Sequence, residues 1–346
     1  MSPISSSSEP FESATALVNS TYDQTNVARV STATDTVSNA IKQADLDFSG
    51  LDLTCPINAN DIANRWLNNF VPMPGQTIKN YTPSVSAFIN RVLRSYANAA
   101  VRGHKIPPFI HWSQMASPSS SPLTACLSAI RVFEQPLPSN AEGIAEVLER
   151  DMTKLYELQE TFDDMGLLAA FQAYLIYGMV VFFRIGGGCY PFLRQAMMYL
   201  QELACATAKR GLACPTERQA DRPRWESWIV AEAKRRTLFT MCLFDSALLA
   251  HDGLPTHLAT ELRGLPAPSS KCLWETRDRL DWKTKYDLHL AASKEGALRI
   301  EELWPVPPEF GPDDVARRRD RVDTWLEDLD EFGTMVYAVT SCTHGS

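Results

Sequence analysis

Between Met165 and Phe183 the chain carries no Asp, Glu, Lys or Arg, and Leu167, Leu168, Phe171, Leu175, Ile176, Met179, Val180, Val181 and Phe182 crowd the interval. Such a run meets the length at which a helix can span a bilayer, roughly 20 apolar residues. It also suits the central helix of a helical bundle, which is apolar all round because neighbours cover every side. Gln172, Tyr174 and Tyr177 interrupt the run, Gly166 and Gly178 lie within it, and no cluster of Lys or Arg flanks it. Those flanks are what a membrane helix ordinarily needs, so the run is expected to be a buried core helix.

A core helix of this kind requires others around it, and the pattern supplies them. Ile62, Trp66, Leu67 and Phe70 follow helical spacing until Pro72, Pro74 and Gly75. Val85, Phe88, Ile89, Val92, Leu93 and Tyr96 share one face after Ser84, and Pro107-Pro108 breaks the chain before an apolar connector. Ser121-Pro122 reads as a helix start, and Ser139 with Glu142 as a capping box. Long helices are expected from Arg224 to Ala250, from Ser270 to Ala297, and from Pro312 through Trp325, Phe332 and Val336. No sustained alternation indicates strands and no repeat is visible. The expected fold is all-α: a single large helical bundle-like domain over 56–340, preceded by a disordered Ser/Thr-rich tail over 1–55.

Charge and cysteine usage narrow the function. The net charge is −8, which opposes autonomous contact with the phosphates of nucleic acid. The cysteines, Cys55, Cys126, Cys189, Cys205, Cys214, Cys242, Cys272 and Cys342, are nowhere closely paired. Thiolates must converge to cage zinc, so no metal site is expected and the cysteines read as free thiols of a reducing compartment. The start, Met1-Ser2-Pro3-Ile4-Ser5, has neither a basic nor an apolar region, so no secretory signal is expected.

The search for catalytic chemistry finds none. Gly186-Gly187-Gly188 follows a helix and lacks the Lys-Ser or Lys-Thr of a phosphate loop. No histidine pair stands at i, i+4, and His251, Asp252 and His257 flank a Gly/Pro turn. No nucleophile elbow occurs. We expect no catalytic residues, no cofactor and no enzymatic activity.

The most informative segment is Trp225-Glu226-Ser227-Trp228-Ile229-Val230-Ala231-Glu232-Ala233-Lys234-Arg235-Arg236-Thr237. Trp225, Trp228, Ile229 and Glu232 fall along one helical side, and Glu232 reaches Arg235 at i+3 and Arg236 at i+4. On residue physics alone this is an amphipathic helix with a solvated or intrahelical charge network. Together with Phe239, Phe244-Asp245, Leu265-Pro266-Ala267-Pro268, Cys272-Leu273-Trp274-Glu275, Trp282 and Tyr286, it resembles the regulatory domain, or middle homology region, of fungal zinc-cluster transcription factors. Upstream, Pro107 to His111 and Leu167 to Tyr177 fit the same pattern, so the resemblance spans roughly 55–300.

The resemblance implies a nuclear transcription regulator, of the kind that controls secondary-metabolite biosynthetic gene clusters, with Trp225, Trp228, Glu232, Arg235 and Arg236 as its signature helix. The family's six-cysteine DNA-binding cluster has no counterpart, since residues 1–54 contain no cysteine, and its DNA-contact residues cannot be placed. The expected partners are therefore other transcription factors or coregulators, in homo- or heterodimers, with DNA contacted indirectly or weakly and no membrane. Two alternatives stand beside it: a truncated form of a DNA-binding factor, and a helical small-molecule-binding or enzymatic domain.

Overall fold

The helices, in chain order, are α1 (Ala59–Ala63), α2 (Pro83–Arg102), α3 (Pro122–Arg131), α4 (Ala141–Glu157), α5 (Asp164–Val180), α6 (Phe192–Lys209), α7 (Pro215–Arg218), α8 (Trp225–His251), α9 (Lys271–Trp274), α10 (Arg279–Ala292), α11 (Pro312–Glu327) and α12 (Glu331–His344). They come from a computed structural model that describes residues 46–71, 78–79, 81–116, 121–134, 140–186, 192–219, 221–292 and 295–344. Strand pairing in named strands among the described residues is confined to β1 (Ile78–Lys79) against β2 (Thr256–His257), antiparallel, with Ile78 opposite His257. The protein is all-α.

The uncharged run becomes α5. Its start is set by Asp163, whose carboxylate accepts from the Gly166 N–H at 2.7 Å, while Asp164 in the first turn complements the helix dipole. Every residue from Leu167 to Val180 is buried, because α2, α3, α4, α6 and α8 all pack on it. This helix is long and apolar enough to cross a membrane, yet 89% of the qualifying window lies inside the protein. Gln172 in its middle is fully buried and paired: its amide donates to the Phe109 carbonyl at 3.0 Å and its oxygen accepts from Gln114 at 2.8 Å. A buried amide so satisfied is tolerated in a core. The helix passes into a π-turn over Val181–Ile185. Gly187 and Gly188 lie outside the described residues, as do Ser139 and the Pro72-Pro74-Gly75 stop.

Four expectations are corrected. The folded unit begins at Leu46, not at 56. Leu46, Phe48, Leu51 and Leu53 pack onto an aromatic cluster, and Thr54 bridges to Ala213; the remainder of the expected tail, 1–45, lies outside the described residues. The helix expected through Trp66 and Phe70 ends at Ala63 and gives way to a 3-10 turn over Arg65–Asn69, because the Arg65 side chain is drawn into the core by Asp245 at 2.7 Å and Glu261 at 2.5 Å. The helix expected over 270–297 is two helices, α9 and α10. The helix expected from Pro312 onward is also two, α11 and α12, parted at Asp328–Asp330. Phe332, Met335, Val336 and Val339 of α12 are buried, while Val322 and Trp325 of α11 pack on the core partly buried, so the apolar stripe docks chiefly from the second helix.

Candidate functional site: a buried charge hub and the cavity beside it

The signature residues lie on α8, the other central helix. Glu226, Glu232, Lys234, Arg235, Arg236 and Asp245 are all buried on it, so of the solvated or intrahelical network expected, the solvated form does not occur. The i+3 and i+4 contacts of Glu232 do form, but inside the protein. A carboxylate and two guanidinium groups at this depth demand full pairing, and each atom's partner can be named.

Glu232 divides its two oxygens. Oε1 accepts from Arg236 Nε at 2.7 Å and from the Ser269 N–H at 2.9 Å. Oε2 accepts from Arg235 at 2.9 and 3.2 Å. Arg235 continues outward to the Leu212 carbonyl at 2.9 Å and to Glu217 at 3.4 Å. Arg236 donates to Asp330 Oδ2 at 2.5 Å and to the Ser269 carbonyl at 3.1 Å. Its guanidinium plane lies 4.4 Å from the centroid of Trp274 and 5.1 Å from that of Phe332, a desolvated cation–π sandwich. Burial alone would raise the Glu232 carboxyl, but Arg235 and Arg236 outweigh it and hold the group below its ordinary range.

Each outer carboxylate also caps a helix. Glu217 accepts from the Cys214 N–H at 2.9 Å at the head of α7, and Asp330 accepts from the Gly333 N–H at 2.8 Å at the head of α12. The hub thereby ties three connectors and two helix starts to α8. Sequence reasoning found Glu232, Arg235 and Arg236 but missed Glu217, Asp330 and Ser269. The Cys214-Pro215-Thr216-Glu217 spacing, Pro at the first turn and Glu two residues on, was a readable signal for Glu217; an Asp three residues before Gly333 was a weaker one for Asp330.

Trp225 and Trp228 turn to a separate cluster. Trp225 stacks on Trp282 at 6.1 Å, and Trp228 meets Trp282 at 5.5 Å and Trp274 at 6.5 Å. Tyr286 closes the group against Trp282 at 4.8 Å. The connector after Pro107-Pro108 enters here through His111, whose Nε2 contacts the Trp274 carbonyl at 3.1 Å and whose Nδ1 contacts Ser113 Oγ at 2.7 Å. A carbonyl only accepts, so Nε2 carries the proton and Nδ1 accepts from the serine. Burial is the main cause that lowers this imidazole to about 3, and it is neutral at neutral pH.

A cavity of about 590 Å³ opens beside Arg235, between α10, α11 and the segment 266–270. Trp228, Leu273 and Tyr286 form its inner wall, and the Asp320, Thr324 and Asp328 side of α11 faces them. Among the described residues no group of three or more His, Cys, Asp or Glu converges to hold a metal. His251 is exposed and His257 buried, the latter with both ring nitrogens lacking a hydrogen-bond partner among the described residues. Cys126, Cys205 and Cys242 are buried free thiols, and burial pushes that of Cys242 up to about 12.

The chain is thus an all-helical protein in which one of two central helices, α8, carries a buried carboxylate–arginine hub. No family model, curated protein or solved structure matches it.

Proposed function

We propose that the chain is a nuclear regulator of transcription that acts through partner proteins and performs no catalysis. What supports this reading is the convergence of the segments that carry the resemblance. The carbonyls of Pro108 and Ser269 accept from Arg236, Trp274 stacks on it, His111 binds the Trp274 carbonyl, and Trp282 and Tyr286 pack on Trp228. Pieces scattered over the sequence are therefore parts of one structural unit. The acidic balance, −8, favours protein partners over direct phosphate contact.

The test is localisation with partner identification. An epitope-tagged chain expressed at its native level should concentrate in nuclei, and cross-linked nuclear extracts should yield transcription factors or coregulators by mass spectrometry. Deleting the gene should alter transcripts of a discrete gene set. A chain confined to the cytosol, with unchanged transcripts on deletion, would sink the reading.

A further inference from the structure

The charges of this chain are unevenly distributed. Between residues 62 and 133 it carries seven basic side chains and no Asp or Glu, which leaves −15 on the remainder of a chain whose net charge is −8. Arg65 of this set turns inward to Asp245 and Glu261. Arg91, Arg94 and Arg102 of α2 instead face solvent. With Asn98 they stand at i, i+3, i+7 and i+11, so they share one face of the helix. At 1.5 Å of rise per residue the stripe is about 16 Å long.

Two more arginines join the stripe from other elements. Arg184 of the π-turn donates to Asn98 Oδ1 at 2.5 Å, and Arg94 lies 5.9 Å from the ring centroid of Phe183 beside it. Arg131, at the end of α3, lays its guanidinium against Gly103, where a Cβ would meet its Nε at 2.7 Å. Burial, and then the charge of Arg102, hold Arg184 below its ordinary range against the opposing charge of Glu134. None of the five arginines has an ion-pair partner among the described residues. The helix dipole accounts for basic residues in a last turn, as at Arg102 and Arg131. It does not account for Arg91 and Arg94, two to three turns earlier. Large apolar groups are exposed along the same face: Phe88 one turn before Arg91 at 41%, Ile106 at 43%, and Val132 next to Arg131 at 80%.

We propose that this face docks an acidic segment of a partner protein, its carboxylates on the arginines and its interspersed apolar side chains on Val132, Ile106 and Phe88. The guanidinium fork matches a carboxylate with two parallel hydrogen bonds, and complementary charge both steers and orients such an encounter. Two features favour a protein segment over nucleic acid. A phosphate backbone offers nothing to cover Val132, Ile106 and Phe88, and a duplex longer than the stripe runs on over a surface of its own sign. The inference gives the chemistry of the partner in the regulatory reading and rests on that reading to this extent. Binding is read on the purified chain, so its failure and a failure of nuclear localisation are separate results.

The experiment follows the fluorescence anisotropy of labelled twelve-residue peptides titrated with the full chain at pH 7.5 and low salt. The first peptide repeats Asp-Leu-Asp-Phe, the second has Asn for every Asp, and the third has Ser for every Leu and Phe. The first should bind about tenfold tighter than either of the others, and added salt should weaken it. Arg91→Gln/Arg94→Gln, at exposed positions, should keep the parent's melting temperature and bind the first peptide about fivefold more weakly, as the loss of two exposed charge pairs does. Val132→Ser should weaken the first peptide and leave the third unchanged. Lys283→Gln/Arg319→Gln, which removes the same charge from other exposed positions, should match the parent. No binding of the first peptide up to millimolar concentration, equal affinity for the three, equal losses in the two double variants, or tighter binding of a 20-base-pair duplex DNA than of the first peptide would each overturn the proposal.

Discussion

Asp330 holds Arg236 at 2.5 Å with one carboxylate oxygen and caps α12 through the Gly333 N–H at 2.8 Å with the other. One side chain thus couples the interior of α8 to the start of the last helix, and the two roles separate by substitution. Asp330→Asn keeps a good N-cap but removes the charge, whereas Asp330→Ala removes both. Breaking one side of a buried ion pair costs about 3–5 kcal/mol and loss of a cap about 1 kcal/mol. Asp330→Ala should therefore be the more destabilised in urea by about the cap term. Equal midpoints for the two variants would show that the cap carries nothing.

Glu232 is the centre of the hub, and its removal strands two arginines at once. Arg235 keeps Glu217 and Arg236 keeps Asp330, so Glu232→Gln should still fold but lose about 3–5 kcal/mol. Adding Arg235→Leu, Arg236→Met, Glu217→Gln and Asp330→Asn should restore part of that loss, since the whole network is then replaced by neutral groups and no uncompensated charge stays buried. Chemical denaturation of the single and quintuple variants reads this directly. A quintuple variant less stable than the single one would mean that the arginines' contacts to Leu212, Ser269 and Trp274 outweigh their desolvation.

The hub and its neighbour His111 give the protein an acid-side instability with two windows. His111 sits at about 3 in the folded chain, chiefly through burial, against an ordinary 6.5. The unfolded chain therefore takes up a proton that the folded chain refuses. Its contribution is complete above pH 6.5 and is lost as pH falls toward 3, with a slope of at most about 1.4 kcal/mol per pH unit. Glu232 lies below its ordinary 4.5, so its contribution is present above that value and is lost as pH falls through its depressed one. His257 and His289 are also lowered by burial and add to the first window. His111→Gln should flatten stability between pH 6.5 and 5 relative to the parent, and Glu232→Gln only below about 4.5. Parallel profiles for parent and His111→Gln would contradict the burial of a neutral imidazole.

What could be read in the sequence follows from which interactions are local. The α5 run, the α8 limits and the Glu232 contacts at i+3 and i+4 depend on neighbours along the chain, and they were legible. The breaks were not, because long-range partners impose them. Arg65 leaves the helical pattern to reach Asp245, and the α11–α12 break falls at Asp330, where Arg236 draws the carboxylate inward. For the same reason the charges of α8 read as a solvated or intrahelical network, without partners outside the helix. Nothing local announces that Leu212, Glu217, Ser269 and Asp330 will surround them.

Gly211 shows how closely the amino-terminal strap is fitted. Its φ is 96°, and a Cβ there would lie 2.7 Å from the Leu53 carbonyl carbon. The strap also holds Gly211's neighbours through the bond from Leu212 N–H to the Thr54 carbonyl at 2.8 Å. Gly211→Ala must strain the backbone and push the strap away, so a loss above the ~1 kcal/mol of an ordinary positive-φ substitution is expected. Limited proteolysis should cut first within 46–54 in the variant. An unchanged cleavage pattern and midpoint would remove the strap from the fold's requirements.

The carboxy-terminal region allows a graded test of docking. Trp325 on α11 is half-buried, donating Nε1–H to the Pro268 carbonyl at 2.9 Å and touching Tyr337 edge-on at 6.5 Å. Phe332 on α12 is fully buried and lies under the Arg236 guanidinium. Truncating a fully buried aromatic costs about 3–5 kcal/mol, and a half-buried one with a single hydrogen bond should cost about half of that. Phe332→Ala is therefore expected to lose roughly twice what Trp325→Ala loses, and Phe332→Ala in addition uncovers one face of Arg236. The acidic, aromatic composition around Trp325 also suits an activation segment, in which the apolar groups wait for a coactivator. Fused to a heterologous DNA-binding domain, residues 312–346 should give no reporter activation if their apolar stripe belongs to the core. Strong activation by the fusion, together with unchanged stability of Phe332→Ala in the full chain, would instead assign α12 to a partner.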